Sequence, residues 1–257
     1  MLLAVDIGNT HIVLGLMEEG RVLYSARMKT DREKTEHEYA ALIRELLSFC
    51  RRGFTVDGAA VSSVVPPLTG VVSKALRLLY GLDPIIVGAG VKTGLNIRID
   101  NAGEAGSDLV TSAVGALRTV KPPFIIVDMG TATTFSCVDK NGCFVGGAIC
   151  PGVGLSLDAL CQKASLLPKI SLEPPRAAIG RNTVDCMRSG SVLGTAAMVD
   201  GMLDRMAEEL GGGVTFLATG GNAKGIVPLC RNRIEVREHL IFEGLWSIYR
   251  RNQEAAR

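Results

Sequence analysis

Two short stretches of this chain place a carboxylate, a glycine and hydroxyls at closely similar spacing. Asp6-x-Gly8-x-Thr10 follows the apolar run Leu3-Ala4-Val5, and Asp128-x-Gly130-Thr131-x-Thr133-Thr134 follows Ile125-Ile126-Val127. Glycine has no Cβ, so a backbone can approach a phosphate closely there. The N–H groups of such a turn, together with a hydroxyl, can donate to phosphate oxygens. The carboxylate can hold Mg²⁺, directly or through water, because Mg²⁺ sheds its hydration reluctantly. Taken singly, either stretch also reads as a hairpin turn in which Asp and Gly serve shape alone, and the hydroxyls of the second fit plain β-propensity. Two copies shift the balance. The same separation divides Asp6 from Asp128 and the turn glycine Gly20 from Gly142, so the register is expected to hold past the motif. Two matched turns facing each other across a cleft suit a nucleoside triphosphate and its metal.

Three further groups could join them. Thr219-Gly220-Gly221-Asn222 follows a strand and precedes an apolar segment. Such Gly-Gly turns are common, and they also present backbone N–H groups to a nucleotide. Asp108 falls in the first turn of a helix opening at Ser107, where the helix dipole favours an acidic residue. A carboxylate there could equally act as a general base or positioning group. Gly146-Gly147 and Pro151-Gly152 read either as a strand-to-helix connection or as a hinge between the halves.

The elements that must position these residues alternate between strands and helices, which argues for an α/β fold. Residues 2–7, 11–17 and 22–28 read as strands, with a hairpin turn at Gly20. A helix is expected over 37–49, a strand over 59–65 closed by Pro66-Pro67, a helix over 71–80 ended by Gly81, and a strand over 84–87. Residues 88–106 form a long glycine-bearing connection. The second half repeats three strands from Phe124, then a helix from about Leu155. Asn182 or Thr183 can cap a long helix to about Glu209, whose Gly190, Gly194 and Gly201 suggest close packing. A strand over 214–218 and a helix over 243–249 complete the chain. The repeat favours two domains, residues 1–118 and 119–257.

Apolar residues make up 47% and charged residues 21% of the 257, the profile of a globular protein with a sizeable core. Net charge is +2 with no basic block, so neither nucleic acid nor a membrane surface is an expected partner. No run approaches a membrane span and the start lacks a basic signal segment, so the cytoplasm is the expected compartment. The seven cysteines include no C-x-x-C, and the three histidines show no ligand spacing, so a zinc site is not expected.

In sum of motifs, the chain resembles the actin-like ATPase and sugar kinase superfamily, and within it type III pantothenate kinase. The resemblance runs through residues 6–13, Ser62-Ser-Val-Val-Pro-Pro67, Gly90-Val-Lys-Thr-Gly-Leu-Asn96, Gly106-Ser-Asp108, residues 127–134, Gly146–Gly152, Ile179–Thr183, Met187–Gly190 and Thr219-Gly-Gly221. It implies two ribonuclease H-like domains related by internal duplication, with mixed sheets flanked by helices, and a homodimer. It implies phosphorylation of pantothenate by ATP with Mg²⁺ and a monovalent cation, potassium or ammonium. By position, Asp6, Ile7, Gly8, Asn9, Thr10, His11, Ile12 and Val13 match the family's first ATP loop, and Thr131 an ATP contact. Asp108 matches the proton acceptor, Asp128 the monovalent-cation ligand and Thr183 a pantothenate contact, while Gly106, Ser107 and Leu109 flank the acceptor. The chain departs from the family at Leu109, where an Arg is usual, and at Ile99-Asp100-Asn101-Ala102, where Tyr-Asp-Asn-Pro is usual. Ser136 replaces a common Asp. These departures leave open a related kinase with another hydroxyl acceptor, and a non-catalytic nucleotide-binding homologue.

Overall fold

The computed structural model describes residues 1–255. The chain runs β1 (Leu2–Ile7), β2 (His11–Glu18), β3 (Arg21–Lys29), α1 (Glu36–Ser48), β4 (Gly58–Ser63), α2 (Pro66–Tyr80), β5 (Ile85–Ile86), β6 (Asn96–Ile97) and α3 (Ser107–Leu117). It continues with β7 (Phe124–Met129), β8 (Ala132–Val138), β9 (Cys143–Pro151), α4 (Val153–Lys163), α5 (Thr183–Arg188), α6 (Gly194–Glu209), β10 (Thr215–Thr219), α7 (Ala223–Ile226), β11 (Ile234–Val236) and α8 (Leu240–Ala255).

The two sheets share one topology. The first has the order β3-β2-β1-β4-β5, and the second has β9-β8-β7-β10-β11 with β6 added beside β9. In each, the first three strands are antiparallel and the last two run parallel to the first. The duplication inferred from the motif therefore extends to five strands per half. The fold is α/β, two ribonuclease H-like halves with mixed sheets flanked by helices.

The expected constant register fails between its two fixed points. Asp6 pairs with Val13, whereas Asp128 pairs with Thr134, so the second turn is a residue shorter. The β8–β9 connection is longer than Glu19-Gly20 and restores the offset at Gly142. A register shift falls at the corresponding place in each copy, at Leu16/Met17 and at Cys137/Val138.

In the first compact unit, β1 is buried on both faces, which is why its sequence is continuously apolar rather than alternating. Leu3, Val5 and Ile7 join Tyr39, Ile43, Leu47, Leu68 and Val72 of α1 and α2 in one core. Side chains alternate along a strand, so Ala4 and Asp6 point to the other face, where α8 packs on β1 and β4 and α3 on β4. At the crossing of α3 and α8, a Cβ on Gly244 would lie 1.8 Å from the Thr111 carbonyl oxygen, so only glycine fits.

The compact units divide differently from residues 1–118 and 119–257. The segment from His239 belongs with the first unit, which also takes Asp100–Thr119, and Ile97–Ile99 belong with the second. The apolar face of α8 (Leu240, Leu245, Ile248) is buried against first-unit elements, and Asn252 brackets Lys92, donating to its carbonyl at 3.0 Å and accepting its N–H at 3.2 Å.

In the second unit Ile125, Val127 and Met129 pack with Val192, Ala196, Val199 and Leu203. Other local expectations also change. Pro66-Pro67 open α2 at its first two positions, where a missing N–H costs nothing, rather than only closing a strand. The expected long helix is interrupted by a π-helical stretch over Ser189–Leu193. Gly190 and Gly194 are not packing glycines: no atom described outside their own helix lies within 4 Å of a Cβ placed on either. At Gly201 only the Arg205 side chain comes near. Gly146 and Gly147 lie inside β9, paired with Cys137 and Ser136, so they form part of a ladder rather than a hinge. Strand β11 and helix α7, three and four residues long, are too short to show a period in the sequence. Among the described residues no helix is long and apolar enough to cross a membrane.

Candidate active site

The first Asp-x-Gly turn joins β1 to β2. The Gly8 N–H closes the turn onto the His11 carbonyl at 3.0 Å, so this N–H serves the turn and is not offered to a ligand. Asn9, Thr10 and His11 are exposed. Ile7 and Ile12 are fully buried in the core, so of residues 6–13 these two can offer a nucleotide only backbone, and Val13 lies opposite Asp6 in β2. Two residues beyond β3 brace the turn, single polar positions that no motif or periodicity marks. Thr30 donates its hydroxyl to the Gly8 carbonyl at 2.6 Å and its N–H to the Thr10 carbonyl at 2.9 Å. Arg32 donates to Asn9 Oδ1 at 3.1 Å, which puts a guanidinium beside the turn.

The same end of the first sheet carries the start of α3. Asp6 stands opposite Ser62 and Ile7 opposite Ser63 in the parallel β1–β4 register. Ser107 Oγ bonds the backbone of Ser63 and lies 3.3 Å from Ser62 Oγ. Asp108 follows, its Oδ1 accepting the Leu109 N–H at 2.9 Å. Burial holds the Asp108 carboxyl above its ordinary value, against the opposing pull of backbone hydrogen bonds. A desolvated carboxylate with a raised pKa is better suited to take a proton than an ordinary one. Asp6, the Gly8–His11 turn and Gly106–Leu109 thus belong to one end of one unit.

In the second unit the Asp-x-Gly turn joins β7 to β8. The Gly130 N–H closes onto the Ala132 carbonyl at 3.0 Å, and Thr131 is exposed. Thr133 is buried in β8, so its hydroxyl does not face the open side of the turn. The Gly-Gly turn after β10 packs on this site. Thr219 lies opposite Asp128 in register, and a Cβ on Gly220 would sit 2.4 Å from Asp128 Oδ1. Gly220 also has a φ of 90°, which disfavours any side chain. Asn222 clamps the turn: its N–H and its side-chain amide both donate to the Met129 carbonyl, at 3.1 and 3.2 Å. Thr183 belongs to this unit too, exposed at the first position of α5, behind the Asn182 cap.

Each turn supplies one carboxylate, and among the described residues no three His, Cys, Asp or Glu side chains are grouped to hold a metal. That donor set fits Mg²⁺ arriving with phosphates, since Mg²⁺ keeps its waters and takes one or two carboxylates rather than a protein cage.

Comparison with known proteins agrees with this geometry. A family model described as type III pantothenate kinase matches residues 2–205. A type III pantothenate kinase from Pelobacter propionicus is 42% identical over 254 residues, covering 98% of this chain and 100% of the relative. One from Myxococcus xanthus is 44% identical, covering 98% and 99%. Among solved structures, component A of the (R)-2-hydroxyglutaryl-CoA dehydratase of Acidaminococcus fermentans superposes with a TM-score of 0.58 at 16% identity, over 99% of this chain and 98% of that one. A ROK family glucokinase from Streptomyces griseus, solved with glucose and AMPPNP, gives 0.52 at 14% identity over 96% and 97%. These two speak for the fold alone. The sequence matches go further: nearly full-length identity, on a chain whose two sheets end in the same carboxylate-glycine turn, makes this chain a member of the type III pantothenate kinase family.

Proposed function

We propose that the chain transfers the γ-phosphoryl group of ATP to the primary hydroxyl of pantothenate, giving 4′-phosphopantothenate and ADP at the entry to coenzyme A synthesis. The observation that carries this reading is the pair of Asp-x-Gly turns at equivalent strand ends, in a chain of this family. Phosphoryl transfer has a loose transition state, so positioning and charge neutralisation dominate. The exposed residues Asn9–His11 and Thr131 are the proposed phosphate contacts, with the backbone of Ile7 and Ile12 behind them. Arg32, held by Asn9, adds positive charge at the first turn. Asp6 would hold Mg²⁺, which when bound neutralises charge on the phosphates. Asp128 would hold a monovalent cation, potassium or ammonium. Asp108 accepts the hydroxyl proton, the oxygen attacks the γ-phosphorus, and the bond to ADP breaks. Gly106, Ser107, Leu109 and Thr183 are the proposed acceptor neighbours.

We further propose that the chain pairs with a second copy of itself. Ile149, Leu155, Leu160, Leu166 and Ile179 are exposed within the second unit, large apolar side chains that a second copy could cover. Light scattering after gel filtration should give twice the chain mass, and a monomer at micromolar concentration would reject the pairing. The proposed compartment is the cytoplasm.

A second reading rests on Leu109, whose apolar side chain follows Asp108 where an Arg could have gripped a carboxylate by two charge-assisted bonds. It keeps the chemistry and changes the acceptor. ATP turnover measured across pantothenate and a panel of other primary alcohols separates the two: pantothenate preferred supports the first reading, another alcohol preferred supports the second. ATP bound without turnover on any acceptor would indicate a non-catalytic homologue.

A further inference from the structure

We infer that Ser107 is a positioning residue for Asp108, its hydroxyl committed within the chain and not to the acceptor; the inference rests on Asp108 being the proton acceptor of the proposed reaction. A hydroxyl has one donor and two acceptor sites. Ser107 Oγ donates to the Ser63 carbonyl at 2.9 Å and accepts the Ser63 N–H at 3.0 Å. The remaining site faces Ser62 Oγ at 3.3 Å. Ser62 is fully buried, and with the Ser107 proton already given to Ser63, Ser62 is the donor of that pair. All three sites are then in use, and none is left for a ligand.

A serine at the start of a helix usually caps its own helix. Here Gly106 occupies the cap position with no side-chain bond, and the Ser107 hydroxyl leaves the helix for the end of β4. That end is itself tied to the first phosphate turn. Ser62 and Ser63 stand opposite Asp6 and Ile7, and the Val64 N–H donates to the Ile7 carbonyl at 3.0 Å. Thr69 braces the same corner through Ser63 Oγ at 2.7 Å. Ser107 thereby fixes the distance between the helix that carries Asp108 and the strand that carries Asp6. Gly106 completes the arrangement by leaving room, since a Cβ there would lie 2.5 Å from Asp108 Oδ1.

The test is steady-state kinetics with ATP and pantothenate on Ser107→Ala, Ser107→Thr, Asp108→Asn and the Ser107→Ala/Asp108→Asn pair. Ser107→Ala should lower kcat by on the order of 10- to 100-fold while both KM values stay within about twofold. Ser107→Thr, which keeps the hydroxyl, should recover most of that loss. On the Asp108→Asn background, adding Ser107→Ala should cost nothing more, because a residue acting through Asp108 has nothing left to position. Ser62→Ala serves if Ser107→Ala does not fold, and should show a smaller loss of kcat alone. A raised pantothenate KM with kcat kept, losses that multiply in the double variant, or unchanged turnover in Ser107→Ala would each overturn the inference. Full turnover in Asp108→Asn would instead overturn the reading of the reaction on which it rests.

Discussion

Asp108 combines two demands that pull against each other. Its carboxyl is raised by burial, and as the proposed base it must be ionised to work. Turnover should therefore fall as pH drops through the raised value, with the acid limb of kcat above about pH 4, the ordinary carboxylate range. For stability the sign follows from the same shift. The folded chain holds this proton more tightly than the unfolded chain, so ionisation costs stability. The cost is absent below the ordinary value and complete above the raised one. Asp108→Asn removes the charge, so its Tm should equal or exceed that of the parent at about pH 7, with the gap closing toward about pH 3. Its kcat should fall on the order of 10²- to 10⁴-fold with ATP binding kept. Melting curves across pH and turnover assays check both, and a Tm gap that widens toward acid would reject the sign. The cysteines behave differently. Burial pushes the thiols of Cys137 and Cys230 up to about 11, aided by Glu209 and Asp200 respectively, so native alkylation should leave both unmodified while the exposed Cys186 reacts. Mass mapping after brief alkylation reads this directly, and prompt labelling of Cys137 would contradict it.

At the scale of elements, the turns work because other elements hold them. Asn222 and Gly220 seat the turn after β10 on the turn after β7, so Gly220→Ala should push on Asp128 and strain a φ of 90° together. ATP affinity measured by calorimetry should drop while the first unit's helices keep their melting behaviour; unchanged affinity would remove this turn from the nucleotide site. At the α3–α8 crossing, Gly244→Ala should instead cost stability, about 1–3 kcal/mol of overpacking, because the obstacle is backbone. Much of this frame is readable beforehand. β1 and β7 are apolar on both faces, and Glu19-Gly20 and Gly81 sit where turns and helix ends need them. Other features leave no pattern. The residue missing from the second turn is hidden because the offset is restored at Gly142. The partner of α8 is invisible because an amphipathic stripe says that a face is buried, not against which sheet. Thr30 and Arg32 are single polar residues with no period, and Asn222, though it closes the Gly-Gly motif, shows its hold on Met129 only through pairing across the fold. The bonds of the Ser107 hydroxyl to Ser63 are equally hidden, because proximity to Asp108 in sequence cannot tell where a hydroxyl points.

For the whole molecule, the two halves repeat five strands and then diverge in what each turn carries. The first unit brings Asp6, the exposed loop and Asp108 to one sheet end, whereas the second holds Asp128 under a Gly-Gly turn. If Asp128 holds a monovalent cation, replacing potassium and ammonium with a bulky organic cation should lower turnover, and Asp128→Asn should abolish that dependence; indifference to the cation would remove the site from the account. Together these parts serve one reaction, transfer of phosphate from ATP to pantothenate. The most direct measurement is ADP release by the intact chain with Mg²⁺ and potassium, with and without pantothenate, together with the mass of the product. ADP release should depend on pantothenate, with one phosphorylated product per ADP and near-complete loss in Asp108→Asn. ADP release indifferent to pantothenate, or a product formed only from another alcohol, would contradict it.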